Sequence, residues 1–279
     1  MFEMKLVMRS IHNEYLNHRF ELPENPMRVV CLVSSATEVM DKLGLLDRVV
    51  GVSEYCDRYV DTTNIPVVGQ YITADFEKIK ELEPNLVLLT TGIQRKLSLK
   101  LAGEGVPIYN LNLPCSFAGM LENVALLGGL LNALPEAREL VSRMREQFSQ
   151  CSNVQRFTDR PRVYVELWLG RHRRAVGGLS YISDLVELAG GSLVFGERAV
   201  GYFENDLDAL PEERPDVYVF FYEPEFLVDG EQLVHERGWD TDIPVIMSTV
   251  KMGENMIQDG PSLLDTSAWL HQQLKEELR

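Results

Sequence analysis

No strand signal interrupts the chain from Ser116 to about Thr158, while on either side of that stretch short β-branched runs alternate with helical ones. Alternating strands and helices build a mainly parallel sheet covered on both faces. A purely helical stretch between two such rhythms therefore requires two sheets. The first rhythm predicts strands at Arg28–Val33, Arg48–Val52, Leu86–Leu89 and Pro107–Leu111, with helices at Thr37–Leu43, Glu77–Leu82 and Leu97–Glu104. The second predicts strands at Arg162–Trp168, Val217–Phe221 and Pro244–Met247. Its helices are expected at Tyr181–Ala189, Leu207–Leu210, Phe226–Glu236 and Ser262–Leu278. Between them Phe117–Leu131 reads as one helix and Glu136–Phe157 as another. The second of these carries Ala137, Leu140, Val141, Met144 and Phe148 on one face. At about 30 Å such a helix can run beside a domain rather than merely cap one.

The expected fold class is α/β: two Rossmann-like lobes with mainly parallel sheets, joined by one long backbone helix. The expected divisions are an N-terminal arm or hairpin over 1–27, an α/β lobe over 28–115, a helical segment over 116–158 and a second α/β lobe over 159–279.

Charge and motif content exclude several functions. The 279 residues carry 42 acidic against 27 basic side chains, a net charge of −15. Nucleic acid is thereby excluded as the main partner, because phosphate binding wants a basic face. The longest apolar runs fall short of a membrane span. In the opening MFEMKLVMRS, Glu3, Lys5 and Arg9 interrupt any leader-like apolar region. The expectation is a cytoplasmic chain, or one whose leader was exchanged for a start methionine. Neither G-x-G-x-x-G nor G-x-x-x-x-G-K-[ST] occurs, so nucleotide binding lacks support. The four cysteines and five histidines show no zinc spacing, and no G-x-S-x-G elbow is present. No metal ligand, catalytic residue or intrinsic cofactor is expected.

Four stretches invite a functional reading. Ser34-Ser35-Ala36-Thr37-Glu38 fits a capping box in which Ser35 and Glu38 satisfy free amides. It also sits at a strand end, where open α/β sheets bind ligands. In Glu54-Tyr55-Cys56-Asp57, Tyr55 is expected to face the ligand crevice and Cys56 to be the most reactive thiol, whereas Cys31 reads as a small buried apolar residue. Gly69-Gln70-Tyr71 precedes Glu77 as Gly201-Tyr202-Phe203 precedes Asp208: glycine, aromatic, then a carboxylate six residues beyond the tyrosine. In Trp168-Leu169-Gly170-Arg171-His172-Arg173-Arg174 a basic run follows a strand. It is either a solvated loop or a site where Arg171 and His172 meet an anionic group, with Trp168 and Tyr222 adding flat apolar area.

Together these pieces resemble the helical-backbone substrate-binding proteins of ABC transporters, which carry cobalamin, haem and ferric siderophores. RVVCLVSSATEVMDKLGLLDRVVGVSEYCD resembles that family's first strand–helix–strand, the cobalamin-binding branch above all. FEKIKELEPNLVLL, ISDLVELAGGSLVF and ALPEERPDVYVF resemble later segments in the same order. The resemblance implies a ligand-binding protein without catalysis, located outside the cytoplasm, that delivers a corrinoid, haem or ferric siderophore to an ABC permease. It implies a ligand cleft between the two lobes and sets Tyr71 and Tyr202 where cobalamin-binding members place aromatics against the ligand; the other candidate ligand residues are Ser34, Ser35, Tyr55, Thr91, Trp168, Arg171, His172 and Tyr222. Thr90 stands where the cobalamin branch has a tryptophan. Glu77 and Asp208 are implied to dock onto the permease, Asp208 being one methylene shorter than the usual glutamate. Two alternatives stay open: a cytoplasmic ligand-binding or sensing relative without a transporter, and a tetrapyrrole chelatase-like enzyme using His172 or Glu54.

Overall fold

The structure is a computed structural model and describes residues 7–154, 157–204 and 214–278. The chain divides into two compact units. One holds the chain up to Leu113 together with Gly119–Arg143, the other Pro114–Ala118 and the chain from Met144 onward.

The first unit opens with a hairpin, β1 (Met8–Asn13) and β2 (His18–Pro23), antiparallel with Asn13 opposite His18. Then follow β3 (Val29–Cys31), α1 (Ser34–Lys42), β4 (Val49–Ser53), β5 (Val67–Gly69), α2 (Phe76–Glu81), β6 (Leu86–Thr90), α3 (Arg95–Gly103) and β7 (Ile108–Leu111). Strands β3 to β7 form one parallel sheet in the order β5-β4-β3-β6-β7. Strand β3 comes first in the chain but lies in the middle of the sheet, so the order reverses between β3 and β6. Residues Val30, Leu32, Val87, Leu89 and Ile108 of the sheet pack against Ile79 of α2 and Leu97 and Leu101 of α3. Burial on both faces explains why these strands read as continuous apolar runs.

Helix α4 (Phe117–Leu130) and helix α5 (Leu134–Val154) follow. The 21 residues of α5 span about 31 Å. The helix starts two residues earlier than its apolar periodicity indicates, because Pro135 is accommodated in its first turn. Ala137, Leu140 and Met144 of the expected face are buried.

The second unit contains β8 (Arg162–Leu169), β9 (His172–Val176), α6 (Tyr181–Leu188), β10 (Ser192–Leu193), β11 (Tyr202–Phe203), β12 (Val217–Tyr222), α7 (Gly230–Glu236), β13 (Val245–Ser248) and α8 (Leu263–Glu277). The sheet order is β11-β9-β8-β12-β13, with β10 also paired to β8. Strands β8, β12 and β13 are parallel, while β9 is antiparallel to both neighbours. Its core is aromatic: Tyr164 meets Phe195, Tyr218, Phe220 and Trp239 edge-on.

Three local readings need correction. The basic run after Trp168 is not a loop. Trp168 and Leu169 complete β8, His172 to Arg174 begin β9, and Gly170-Arg171 is a two-residue hairpin turn with Gly170 at φ +59°. The helix expected from Phe226 starts at Gly230, because Asp229 caps it by accepting the Gln232 amide at 3.0 Å. Ser35 is not the N-cap: α1 begins at Ser34 after Val33, which makes no side-chain cap, and Ser35 and Glu38 are buried in its first turns. The helix expected at Leu207–Leu210 and residue Asp208 lie outside the described residues.

Candidate functional site

In the first unit all five strands of the parallel sheet end on one edge, where the β3–β6 reversal is the place an α/β sheet opens a ligand crevice. A buried carboxamide occupies that position. Gln94, fully buried, accepts the Thr90 amide at 2.7 Å and donates to the carbonyls of Leu32 at 3.0 Å and Tyr71 at 2.6 Å. It thereby joins the end of β3, the end of β6 and the loop after β5. Behind it Asn110 donates to the Thr90 carbonyl at 3.0 Å and to the Ser98 hydroxyl at 2.8 Å, and Ser98 donates to the Gln94 carbonyl at 2.9 Å. A nucleotide phosphate would need free backbone amides here; the Thr90 amide is already bonded by a side chain. This accounts physically for the missing glycine-rich turn.

The same network presents apolar side chains. Tyr71 is half-buried, and Ile72 beside it is 58% exposed. Ile93, next to Gln94, is 64% exposed, and Leu113 follows β7 with its amide donating to Thr91 Oγ1 at 3.0 Å. Tyr71 and Thr91 are thus brought to one edge, and Ser34 lies half-buried at the start of α1 on that edge. Tyr55 is half-buried with the Arg58 guanidinium 4.6 Å above its ring. Ser35 points its side chain into the protein. Glu77 stands in the first turn of α2, its side chain 84% exposed, with Lys80 Nζ at 3.8 Å.

Cys56 is not the reactive thiol that the sequence indicates. It is buried, receives the Thr37 hydroxyl at 3.2 Å, lies 3.2 Å from Ser53 Oγ, and has its pKa raised, chiefly by desolvation. Cys31 is raised for the same reason, and further by Cys56. A thiol reagent at pH 8 should therefore label exposed Cys115 first and half-buried Cys151 more slowly. Cys31 and Cys56 should react only after denaturation; stoichiometric labelling of Cys56 in the native protein would contradict this placement.

In the second unit Trp168 and Tyr222 are direct partners at the ends of β8 and β12, so they share a sheet face. Phe226 stacks on Trp168, ring centroids 5.8 Å apart and 11° from parallel. The pleat then divides the basic run. Arg173 is the partner of Trp168, whereas His172 pairs with Leu169 on the opposite face. Arg174 pairs with Leu167 and bridges Glu204 at 2.6 Å. Arg171 is exposed in the turn. Tyr202 pairs with Val176, two strands from β8 and about three residues back from Trp168 in register. At 3.3 Å per residue and 4.8 Å per strand, that is about 10 Å in each direction. The structure therefore gathers Trp168 and Tyr222, adds Phe226 and Arg173, and leaves Tyr202 and His172 apart from them.

What fixes Trp168 was not legible as a motif. Glu166, fully buried on the same face of β8, accepts the Trp168 indole N–H at 2.7 Å and the Tyr164 hydroxyl at 2.6 Å. Arg237 closes a two-pronged ion pair on it at 2.8 and 2.9 Å. Burial, and after it the Glu166 carboxylate, push the Tyr164 phenol up. The signal available beforehand was the lone acidic residue inside the apolar strand RVYVELWL.

A cavity of about 470 Å³ lined by Phe148, Phe157, Arg160 and Asp184 also opens in this unit. It lies by Gly190, near the amino end of β8, away from Trp168. Among the described residues no group of three or more His, Cys, Asp or Glu is placed to hold a metal ion.

The sequence profile of the periplasmic binding protein family matches residues 29–236. A cobalamin-binding protein of Halobacterium salinarum is 29% identical over 210 residues, covering 73% of this chain and 56% of that protein. The chain thus spans little more than half the length of that relative. A vitamin B12-binding protein of Vibrio parahaemolyticus is 27% identical over 195 residues, covering 68% of this chain and 69% of its own. Among solved structures, Staphylococcus aureus IsdE complexed with heme superimposes with a TM-score of 0.75 at 20% identity, covering 88% of this chain and 98% of that one.

Proposed function

The chain belongs to the periplasmic binding protein family, and on that premise we propose that it binds a corrinoid, haem or ferric siderophore and delivers it to an ABC permease. The family is one of binding proteins, and among the described residues no helix is long and apolar enough to cross a membrane. One observation carries the ligand class. The strand-end loops of the first unit expose Tyr71, Ile72 and Ile93 while their backbones are locked by a buried polar network. Rigid apolar area with few free polar groups suits a large, flat organic ligand and not a phosphate. In the second unit the stacked Trp168–Phe226 pair beside Tyr222 is a surface of the same kind, with Arg173 on its face for a ligand carboxylate. Relatives named for cobalamin and for heme narrow the candidates.

The ligand set therefore comprises Ser34, Tyr55, Tyr71 and Thr91 in the first unit and Trp168, Arg173 and Tyr222 in the second. Glu77, exposed on α2, is the described candidate for permease docking. The protein would then act outside the cytoplasm.

Titration with cyanocobalamin, hemin and a ferric siderophore, followed by visible absorbance and calorimetry, tests the reading. One of the three should bind with a Kd below about 1 μM. Absence of binding to all three at ten times that concentration would remove this assignment.

A further inference from the structure

We propose that the N-terminal hairpin is a positioning element for the Thr91–Gln94 loop, with Tyr15 as its contact residue and Asn13 as its anchor. The hairpin precedes the family-matched residues 29–236. The proposal deepens the ligand reading above, because the loop it holds is the one that exposes Ile93.

The connections are continuous. Asn13, the last residue of β1, is buried and donates to the Ile108 carbonyl at 3.2 Å and to Asn110 Oδ1 at 3.0 Å. Asn110 in turn donates to the Thr90 carbonyl, and through Ser98 the network reaches the Gln94 carbonyl. Both residues flanking the loop are thus tied to the end of β1. The middle of the loop is held separately: Gly92, at φ +77°, donates its amide to the Tyr15 hydroxyl at 2.9 Å, and that hydroxyl reaches the Gly92 carbonyl more weakly at 3.5 Å. The Arg95 guanidinium stands 5.8 Å from the Tyr15 ring centroid. Tyr15 itself is fixed by a single helical turn, Glu14–Leu16, closed by Asn17 in the left-handed region at φ 50°.

An isolated two-stranded hairpin is marginal in water, so a brace must be anchored. Leu22 and Phe20 of β2 are buried, and Arg9 of β1 donates to the carbonyls of Gly129 and Leu130 at the end of α4. The Tyr15 hydroxyl is not part of that anchorage. It meets an exposed glycine whose amide can take a water in its place. Its removal should loosen the loop and leave the fold intact, and that separates positioning from simple stabilisation.

The test is Tyr15→Phe, which keeps the ring and removes the bond. Amide exchange of residues 91–94 is measured without ligand, alongside the urea midpoint and titrations with hemin and cyanocobalamin. The expected result is exchange at Gly92 faster by about tenfold and an unchanged urea midpoint. Affinity for the probe the wild type binds should fall roughly fivefold, the effect of losing one neutral hydrogen bond. Unchanged exchange at Gly92, unchanged affinity, or a lowered midpoint with exchange rising across the whole sheet each overturns the proposal. Should the wild type bind neither probe, the ferric siderophore titration decides the ligand reading, and exchange at Gly92 alone decides the brace: faster supports it, unchanged rejects it.

Discussion

Arg237→Leu should destabilise the second unit by about 3–5 kcal/mol, the cost of stripping one partner from a buried ion pair. Glu166 is fully buried and the Arg237 side chain is 4% exposed, so water cannot replace the lost guanidinium. The carboxylate would keep its bonds from Tyr164 and Trp168 but lose both from the guanidinium. For a unit of this size the apparent Tm should fall by roughly 10 °C, read by scanning calorimetry. Arg237→Lys keeps the charge without the two-pronged geometry and should fall between. Glu166→Leu combined with Arg237→Leu removes both charges and should recover part of the loss, although the Tyr164 hydroxyl and the Trp168 N–H would then lack their acceptor. An Arg237→Leu protein within about 1 kcal/mol of wild type would mean the pair behaves like a surface bridge, and the account of this core would be wrong.

The same pair connects the core to the proposed ligand surface. Trp168 is held from below by Glu166 and from the side by Phe226, so its indole is set before any ligand arrives. Preorganisation of this kind lowers the ordering cost of binding. It also explains an acidic residue in a strand made, after Arg162, of Val, Tyr, Leu and Trp: the carboxylate is the acceptor that fixes an indole at the strand end.

Most of the α/β layout could be read from the chain because its strands are buried on both faces, as Leu86–Thr90 illustrates with five buried residues in a row. The short edge strands could not. Tyr202–Phe203 has two residues and His172–Val176 begins with three charged or titratable ones, so neither carries an apolar signature. Missing β9 had a direct consequence for the site, since only the register with β8 shows that Arg173 and not His172 shares the face of Trp168. Tyr71 and Trp168 were legible as aromatics at or beyond strand ends. Gln94 and Glu166, which hold them, were not, because a single polar residue gives no hint of which distant backbone it will meet. The start of α7 was misplaced for a related reason: Asp229 caps the helix through the Gln232 amide, while Phe226 before it stacks on Trp168.

Gln94→Leu should have the largest effect on ligand binding of any substitution that touches no ligand surface. The leucine fits the volume but leaves the Thr90 amide and the Leu32 carbonyl buried without their partner, at about 1–3 kcal/mol each. The Tyr71 carbonyl also loses its donor, but Tyr71 is half-exposed and water can serve it. A loss near 3 kcal/mol in urea unfolding is therefore expected, with at least a tenfold loss of affinity as the Tyr71 loop comes free of the sheet edge. Gln94→Glu separates the two polarities of the carboxamide. A glutamate can still accept from Thr90, but its other oxygen would face two carbonyls unless it carries a proton. Facing acceptors favours the neutral acid, so its pKa in the folded variant lies above the unfolded value of about 4.3. Stability relative to wild type should then be greatest at low pH and be lost as pH rises through that folded-state pKa. Urea midpoints of both proteins at pH 5 and pH 8 provide the comparison; a deficit that does not grow with pH would show that the carboxamide nitrogen is not the donor to Leu32 and Tyr71.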